Sequence, residues 1–324
     1  MQSFESKLSL FISIDLVGST SFKYAYSKRS LGKEQPWLEF FDNFYKVVPF
    51  LLRKNIGEKA TCYPTIWKTA GDEILFHCDI TDKNQPKEII LALYKTINEY
   101  HDQLAERNLP LKIKATSWIA GFPVINAEIT IDEEGDVKRD YIGPSIDVGF
   151  RLSKFSDPRN LIISIELAYI LSDTLTSKEE KKLGGIFLEN EEILKGAFKG
   201  LAYPILTIKI QDTFEKSRLK VLKKEKLSLG DIEDFCLEYI AQVNDPYTIV
   251  IPYIKRQNFA DYNDIPDDHD KIIKSIQEKE KGDYEKKKIP KTISDSGKES
   301  VEFSEKIHLK IKRGGIRKKK KTKS

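Results

Sequence analysis

The amino-acid sequence predicts a mixed α/β fold in which strands and helices alternate as far as residue 210. Short apolar runs bounded by turn residues, such as LSLFISID at 8–15, are typical of buried strands. Longer segments at 37–54 and 86–107 repeat apolar residues three and four positions apart, which is the spacing of amphipathic helices. With 324 residues and 40% hydrophobic content, the chain can bury one good-sized core and a small second one.

The first elements follow the order βαββαβ. The strand at 8–15 ends in Asp15, and the LVGST after it has the residues of a turn and a helix cap. The helix at 37–54 precedes two β-rich runs within 61–79, and Ala70-Gly71-Asp72 between them predicts a hairpin with Asp72 at its tip. A helix at 86–107 and a strand at 112–124 complete this order.

The remaining elements extend this core. Residues 127–142 predict a polar β-arm that turns near Glu134-Gly135, and Gly143-Pro144 precede a helix-period segment. A strand at 161–165, a helix at 166–175 and a last strand at 203–210 follow, so we place the end of the main domain near Thr213. One amphipathic segment at 232–243 predicts that residues 214–270 form a small helical extension to the domain of residues 1–213.

Charge is unevenly distributed along the chain. Residues 271–324 contain 19 basic and 8 acidic residues, a net charge of +11, so residues 1–270 carry −7 of the overall +4. A mildly acidic body argues against a broad nucleic-acid-binding face. The tail has few apolar residues and ends in RKKKKTKS without interleaved aromatics, which predicts a disordered, solvated segment and disfavours nucleic-acid binding.

Composition also excludes several classes of protein. No window approaches about 18 uninterrupted apolar residues, and the N-terminal segment lacks the pattern of a secretory leader, so we expect a cytoplasmic protein without a membrane span. The three cysteines, Cys62, Cys78 and Cys236, form no CxxC motif and are odd in number. We therefore expect neither a disulfide scaffold nor a zinc site.

Two aspartates at strand ends are the most informative residues for chemistry. Converging carboxylates of this kind, here Asp15 and Asp72, hold hard divalent cations such as Mg²⁺ or Mn²⁺, which also bind phosphate oxygens. The small, hydroxyl-rich segment Val17-Gly18-Ser19-Thr20 at a helix start can direct backbone N–H groups toward a triphosphate. The alternative is structural, with Asp15 as a helix N-cap and Asp72 as a turn residue.

Three segments, FISIDLVGST (11–20), WKTAGDE (67–73) and DYIGPSIDVGFRL (140–152), support the chemical interpretation. In order and spacing they resemble the signature segments of the class III nucleotidyl cyclase catalytic domain, found in adenylyl and guanylyl cyclases. The resemblance spans residues 8–210 and implies a ferredoxin-like α/β domain, of the α+β kind. It further implies a head-to-tail homodimer whose active sites form between the protomers.

The resemblance also implies roles for individual residues. Asp15 and Asp72 match the two metal-binding aspartates, and the Leu16 carbonyl matches a backbone ligand, which implies two Mn²⁺ or Mg²⁺ ions per active site. Lys68 matches the base-contacting position that is lysine in adenylyl cyclases, and Asp140 matches its partner.

Later positions complete the implied active site. Arg151 matches the arginine that stabilises the transition state, whereas Asp147 stands where purine cyclases have asparagine. Lys199 or Lys195 matches a late lysine that contacts the triphosphate, and we favour Lys199.

The sequence gives conflicting signals about which base the substrate nucleotide carries. Lys68 and Asp140 offer a donor and an acceptor suited to adenine, but the GPSIDVGFRL segment resembles the pyrimidine cyclases of the bacterial Pycsar antiphage system. That resemblance implies conversion of UTP to cyclic UMP, and less widely CTP to cyclic CMP, as a messenger for a downstream effector protein in antiphage defence. Three aromatic residues near the matched segments either narrow the pocket to pyrimidine size or belong to the core: Trp67, Trp118 and Tyr141.

Two other functions stay open: an adenylate cyclase that makes cyclic AMP, and a catalytically silent cyclase-like module that binds a nucleotide. Retention of both metal-site aspartates and of Arg151 disfavours the silent module, because a binding module needs no two-metal site.

Overall fold

The structure is a computed structural model that describes residues 6–27, 36–133, 136–210, 226–243, 249–256 and 259–267, with a few isolated positions as far as 278. The described residues up to 273 form one compact unit. The predicted boundary near Thr213 and almost all of the predicted disordered tail lie outside the described residues.

The first seven elements confirm the predicted ferredoxin-like order. They are β1 (Lys7–Val17), α1 (Ser19–Ser27), α2 (Pro36–Ile56), β2 (Thr65–Ala70), β3 (Glu73–Ile80), α3 (Gln85–Glu106) and β4 (Lys112–Phe122). Their strands lie in the order β2-β3-β1-β4, and each neighbouring pair is antiparallel. This is the arrangement of a split βαβ fold.

The second half of the chain widens the same sheet to seven strands. It adds β5 (Ala127–Glu133), β6 (Asp136–Ile142), α4 (Pro144–Leu152), β7 (Asn160–Ile163), α5 (Ile165–Thr174), α6 (Ser177–Leu183), β8 (Ile186–Ile193) and β9 (Ala202–Lys209). Strand β7 pairs parallel to β4, and β9 and β8 continue antiparallel to the edge. Strands β5 and β6 pair only with each other, which confirms the predicted β-arm, whose turn lies outside the described residues.

The central strand β1 contributes to two apolar clusters because its side chains alternate between the faces of the sheet. Leu10, Ile12 and Ile14 are fully buried and belong to the main core, together with residues of α2 and α3. Phe11 points to the other face and is buried in a smaller apolar cluster. The other members of this cluster are Leu75, Trp118, Ala120, Phe122, Tyr141 and Ile146. Helices that include α2, α3 and α5 therefore cover one face, and α4 with the β-arm covers part of the other.

The described residues between 226 and 262 include one helix and one hairpin. Helix α7 (Leu229–Val243) packs on the main core through the buried Ile232 and Cys236, and the Tyr239 hydroxyl donates to the Ala202 carbonyl at 3.0 Å. A short hairpin, β10 (Ile254–Arg256) with β11 (Phe259–Tyr262), was not expected from the sequence. Its strands are too short to show a clear alternation of apolar and polar residues.

Two of the three cysteines form a single disulfide that the sequence did not predict. Cys62 and Cys78 form a disulfide, with their Cα atoms 6.7 Å apart, whereas Cys236 is free and buried. Cys62 precedes β2 and Cys78 lies in β3, so the antiparallel pairing of these strands brings the two residues together. Counting cysteines cannot detect such a pair. No helix within the described ranges is long and apolar enough to cross a membrane.

The packing of α4 on β4 depends on a glycine. A Cβ at Gly149 would overlap the indole ring of Trp118, whereas a Cβ at Gly121 of β4 would meet no atom within 4 Å. We expect Gly149→Ala to lower the free energy of unfolding by about 1–3 kcal/mol, because overpacking displaces the helix. Gly121→Ala should stay within about 0.5 kcal/mol of the parent protein. Urea unfolding of both variants measures this, and equal midpoints would contradict the described contact.

Candidate functional site

The pairing of β1 with β3 brings the two strand-end aspartates to one place. Asp15 lies opposite Glu73 in the β1–β3 register, and the Leu16 N–H donates to the Asp72 carbonyl at 3.2 Å. The carboxylates border a polar cavity of about 260 Å³, lined by Ser13, Asp15, Ala70, Asp72, Glu73, Lys114, Ser153 and Ser156. Two charged residues of this lining, Glu73 and Lys114, were not singled out from the sequence.

The electrostatics of this cavity favour a cation. Burial raises the pKa of Asp15, and the charge of Asp72 raises it further, although Lys114 acts against the rise. Burial also raises the pKa of Glu73, whose carboxylate accepts a hydrogen bond from Ser13. Carboxylates that are partly buried and repel one another are stabilised by a nearby positive charge.

The turn that follows β1 leads into helix α1 beside the Asp72 carboxylate. Gly18 adopts a φ of +89°, and a Cβ there would approach the Pro110 carbonyl oxygen to 3.1 Å, so both backbone shape and space favour glycine. Helix α1 begins at Ser19, whose buried hydroxyl donates to the Asp72 carboxylate. Val17 and Thr20 are exposed beside it. The free N–H groups of the first helical turn therefore start beside a carboxylate of the cavity.

Lys68 and Asp140 meet although they come from different sheets. The Lys68 ammonium lies 2.8 Å from an Asp140 oxygen and 4.0 Å from the ring centre of Trp67. The side chains are 40% and 35% exposed, and an ion pair this accessible contributes at most about 1 kcal/mol to stability. The pair thus presents a donor and an acceptor to solvent, and the fold gains little from it.

Helix α4 presents Asp147 and Arg151 one turn apart. The Arg151 guanidinium donates to the Asp147 and Lys195 carbonyls, each at 2.8 Å, and the Asp147 carboxylate is 67% exposed. The Lys195 side chain is exposed, whereas the side chain of Lys199 lies outside the described part of the structure. The choice between these two lysines stays a prediction.

The predicted site residues thus fall into two sets within one chain. Asp15, Asp72 and the turn after β1 surround the carboxylate cavity. A second set comprises residues of β2, the β-arm and α4, and none of them lines that cavity: Lys68, Asp140, Asp147 and Arg151.

The aromatic residues near the base-contacting positions are mostly core. Trp118 and Tyr141 are buried in the smaller apolar cluster, so the idea that they form pocket walls is wrong and the core alternative is correct. Trp67 is only partly buried and lies directly beneath Lys68. It alone of the three stays available to a bound base.

Metal ligands are sparse in this site. Within the described residues, no group of three or more histidine, cysteine, aspartate or glutamate side chains is arranged to hold a metal ion. A cation held by Asp15 and Asp72 would need further oxygen ligands from the backbone or a substrate, which is the usual situation of Mg²⁺ at phosphate sites.

Comparisons with known proteins give likenesses in structure only. No protein-family model matches the chain, and no curated protein matches it. The adenylyl cyclase CyaB from P. aeruginosa has 14% identity and a TM-score of 0.48, covering 64% of this chain and 96% of its own. The guanylate cyclase domain of RhGC from Catenaria anguillulae, in complex with GTP, has 13% identity and a TM-score of 0.45, covering 63% and 96%.

A third solved structure, the guanylyl cyclase Cya2, has 15% identity and a TM-score of 0.41, covering 63% of this chain and 92% of its own. All three are cyclases. With TM-scores below 0.5, these likenesses do not establish what this chain does, so its chemistry has to be inferred from its own side chains.

Proposed function

We propose that this protein is a nucleotidyl cyclase, which converts a nucleoside triphosphate to a 3′,5′-cyclic nucleotide and diphosphate. The observation that carries the proposal is the cavity at which Asp15 and Asp72 meet beside the first turn of α1. Oxygen donors of this kind suit Mg²⁺ or Mn²⁺, and a helix start suits phosphate. The three sequence segments that resemble class III cyclases contain these same residues.

Asp15, Asp72 and the Leu16 carbonyl are the residues that would hold the metal ions. Two such ions, when bound, supply positive charge that neutralises the triphosphate and acidifies the ribose 3′-hydroxyl. The N–H groups of residues 17–20 bind the triphosphate, and Lys199 or Lys195 contacts it from the loop before β9. Ser19 positions Asp72 through its hydroxyl.

The reaction is an in-line displacement at the α-phosphorus. The 3′-oxygen forms a bond to the α-phosphorus, the bond from this phosphorus to the diphosphate oxygen breaks, and the hydroxyl proton passes to solvent water. Arg151 donates to phosphate oxygens as negative charge develops there. Its hydrogen bonds in this structure go to two backbone carbonyls, and the Asp147 carboxylate lies 3.8 Å from the guanidinium.

A homodimer accounts for the separation of the two sets of residues. If the cavity of one protomer faces α4 and the β-arm of its partner, Arg151 and the Lys68–Asp140 pair complete the site from across a two-fold axis. The resemblance to class III cyclases implies this head-to-tail arrangement. Such a two-fold dimer has two equivalent active sites.

UTP is the substrate that we propose, with cyclic UMP as a messenger for an antiphage effector protein. The support is the Asp147-containing segment that resembles Pycsar cyclases, together with Lys68, which can donate to the uracil 4-oxygen but cannot accept from the cytosine amino group. Since Trp118 and Tyr141 are core residues, selection against purines falls to Lys68, Asp140 and Trp67. The Lys68–Asp140 pair is the observation that favours adenylate cyclase as the second candidate.

The metal-site aspartates provide the first test. Asp15→Ala and Asp72→Ala should each lower the rate of Mn²⁺-dependent diphosphate release at least about 100-fold, because each removes charge that stabilises the transition state. Asp102→Ala, which removes an exposed carboxylate from α3, is the matched control and should leave the rate unchanged. Near-normal turnover of Asp72→Ala would show that the metal assignment is wrong. A parent protein inactive with every nucleotide would support the silent module.

Subunit mixing tests the composite site. Asp72→Ala and Arg151→Ala should each be inactive, but an equal mixture should recover about one quarter of the parent activity, because half of the dimers are mixed and each has one intact site. A mixture of Asp15→Ala with Asp72→Ala is the control and should recover nothing, since both changes affect the same half of the site. No recovery in the first mixture, with subunit exchange verified, would contradict the shared site.

Nucleotide preference tests the proposed substrate. Separate incubations with Mn²⁺ and each of the four ribonucleoside triphosphates, with products identified by mass, should give UTP ahead of CTP and far ahead of ATP and GTP. A mismatched base leaves polar groups unpaired, which can make such preferences large. A strong preference for ATP would instead support the adenylate cyclase candidate, and equal turnover of all four would mean that the base is not recognised.

A further inference from the structure

Lys114 brings a positive charge to the carboxylate cavity. It lies on β4 directly opposite Asp15 in the β1–β4 register, and its ammonium is 3.3 Å from an Asp15 oxygen. The side chains of Lys114 and Asp15 are 22% and 29% exposed, so this ion pair is more shielded from solvent than the Lys68–Asp140 pair. Neither the sequence motifs nor the proposed chemistry assigns a role to Lys114.

The charges around the cavity are unbalanced. Three carboxylates line it, from Asp15, Asp72 and Glu73, and Lys114 is the one basic side chain among its lining residues. Lys114 influences two of the three, since its charge opposes the rise in the pKa of both Asp15 and Glu73. Its other polar contact, to the Ser153 carbonyl, is long at 3.5 Å. The ammonium is therefore held mainly by the Asp15 carboxylate.

A divalent cation at Asp15 and an ammonium on the same carboxylate exclude each other electrostatically. Two positive charges a few ångströms apart in a partly buried site repel strongly, and both draw their stabilisation from the same oxygens. A flexible four-carbon stem lets a lysine withdraw its charge without disturbing the backbone.

We propose that Lys114 is a built-in competing cation, which neutralises Asp15 in the metal-free protein and must release this carboxylate before a divalent metal ion can bind. The inference rests on the metal site of the proposed function. It predicts opposite effects on two measurable quantities: Lys114 stabilises the metal-free fold and weakens the binding of metal. A lysine that merely supported the geometry of Asp15 would strengthen both.

Manganese binding measured by electron paramagnetic resonance of free Mn²⁺, without nucleotide, tests the proposal on the full chain. Lys114→Met should bind Mn²⁺ about tenfold more tightly than the parent protein, the size of coupling expected between neighbouring charges. Without metal, the melting temperature of Lys114→Met should be lower than that of the parent protein. Saturating Mn²⁺ should raise the melting temperature of this variant by more than it raises that of the parent. Lys114→Arg, which keeps the charge, should stay close to the parent affinity.

Two controls make the outcome decisive. Lys112→Met removes the same charge from an exposed position two residues away on β4, and should leave Mn²⁺ affinity nearly unchanged. Lys114→Gln provides a polar second variant if the methionine disturbs folding. Unchanged or weaker Mn²⁺ binding in folded Lys114→Met and Lys114→Gln would overturn the proposal while leaving the metal site in place. A parent protein that binds no Mn²⁺, either alone or with a nucleoside triphosphate present, would overturn the metal site itself, and this inference with it.

Discussion

The register of β1 between β3 and β4 is the constraint on which the site depends. It places Asp15 opposite Glu73 on one side and Lys114 on the other. A slip of one residue would move every β1 side chain to the opposite face, exposing Leu10, Ile12 and Ile14 and burying Asp15 among the helices. The apolar side chains that face α2 and α3 therefore fix the position of a carboxylate that they do not touch.

The same alternation places the rest of the candidate site. Phe11 shares its face of the sheet with Asp15, and its cluster with Trp118 and Tyr141 holds the β-arm and α4 against that face. The Tyr141 backbone N–H donates to the Asp140 carboxylate at 3.0 Å, so burial of one residue orients the next. The close approach of Gly149 to Trp118 sets the distance of α4 from the sheet, and with it the positions of Asp147 and Arg151. Aromatic packing positions these polar groups but does not line their pocket.

Sequence periodicity was sufficient for much of the fold because the central strands and the two long helices are strongly patterned. The predicted order βαββαβ, the hairpin with Asp72 near its tip and the polar arm are all confirmed. The start of helix α1 was predicted, but its extent (STSFKYAYS) and strand β8 (IFLENEEI) were not, since both segments carry too few apolar residues in a regular repeat. Their structure depends on tertiary contacts that override local preference.

The same limit applies to the candidate site. The Asp15–Asp72 pair could be predicted because Asp15 ends an apolar run and Asp72 follows a turn glycine between two β-rich runs, signals visible in the chain itself. Lys114 and the Cys62–Cys78 pair could not, because each depends on which residues face one another across neighbouring strands. Trp118 could have been a pocket wall or a core residue. Its full burial shows that it is a core residue, and spacing along the chain does not reveal burial.

A crystal structure of the protein with Mn²⁺ and a UTP analogue that cannot release diphosphate is the most direct test of the central claim, that the carboxylate cavity binds metal and triphosphate for cyclisation. The account predicts anomalous scattering from manganese between Asp15 and Asp72, with the triphosphate at the start of α1 and Arg151 reaching it from the second copy of the chain. Manganese and nucleotide bound elsewhere, with the cavity still closed by the Lys114–Asp15 pair, would contradict it.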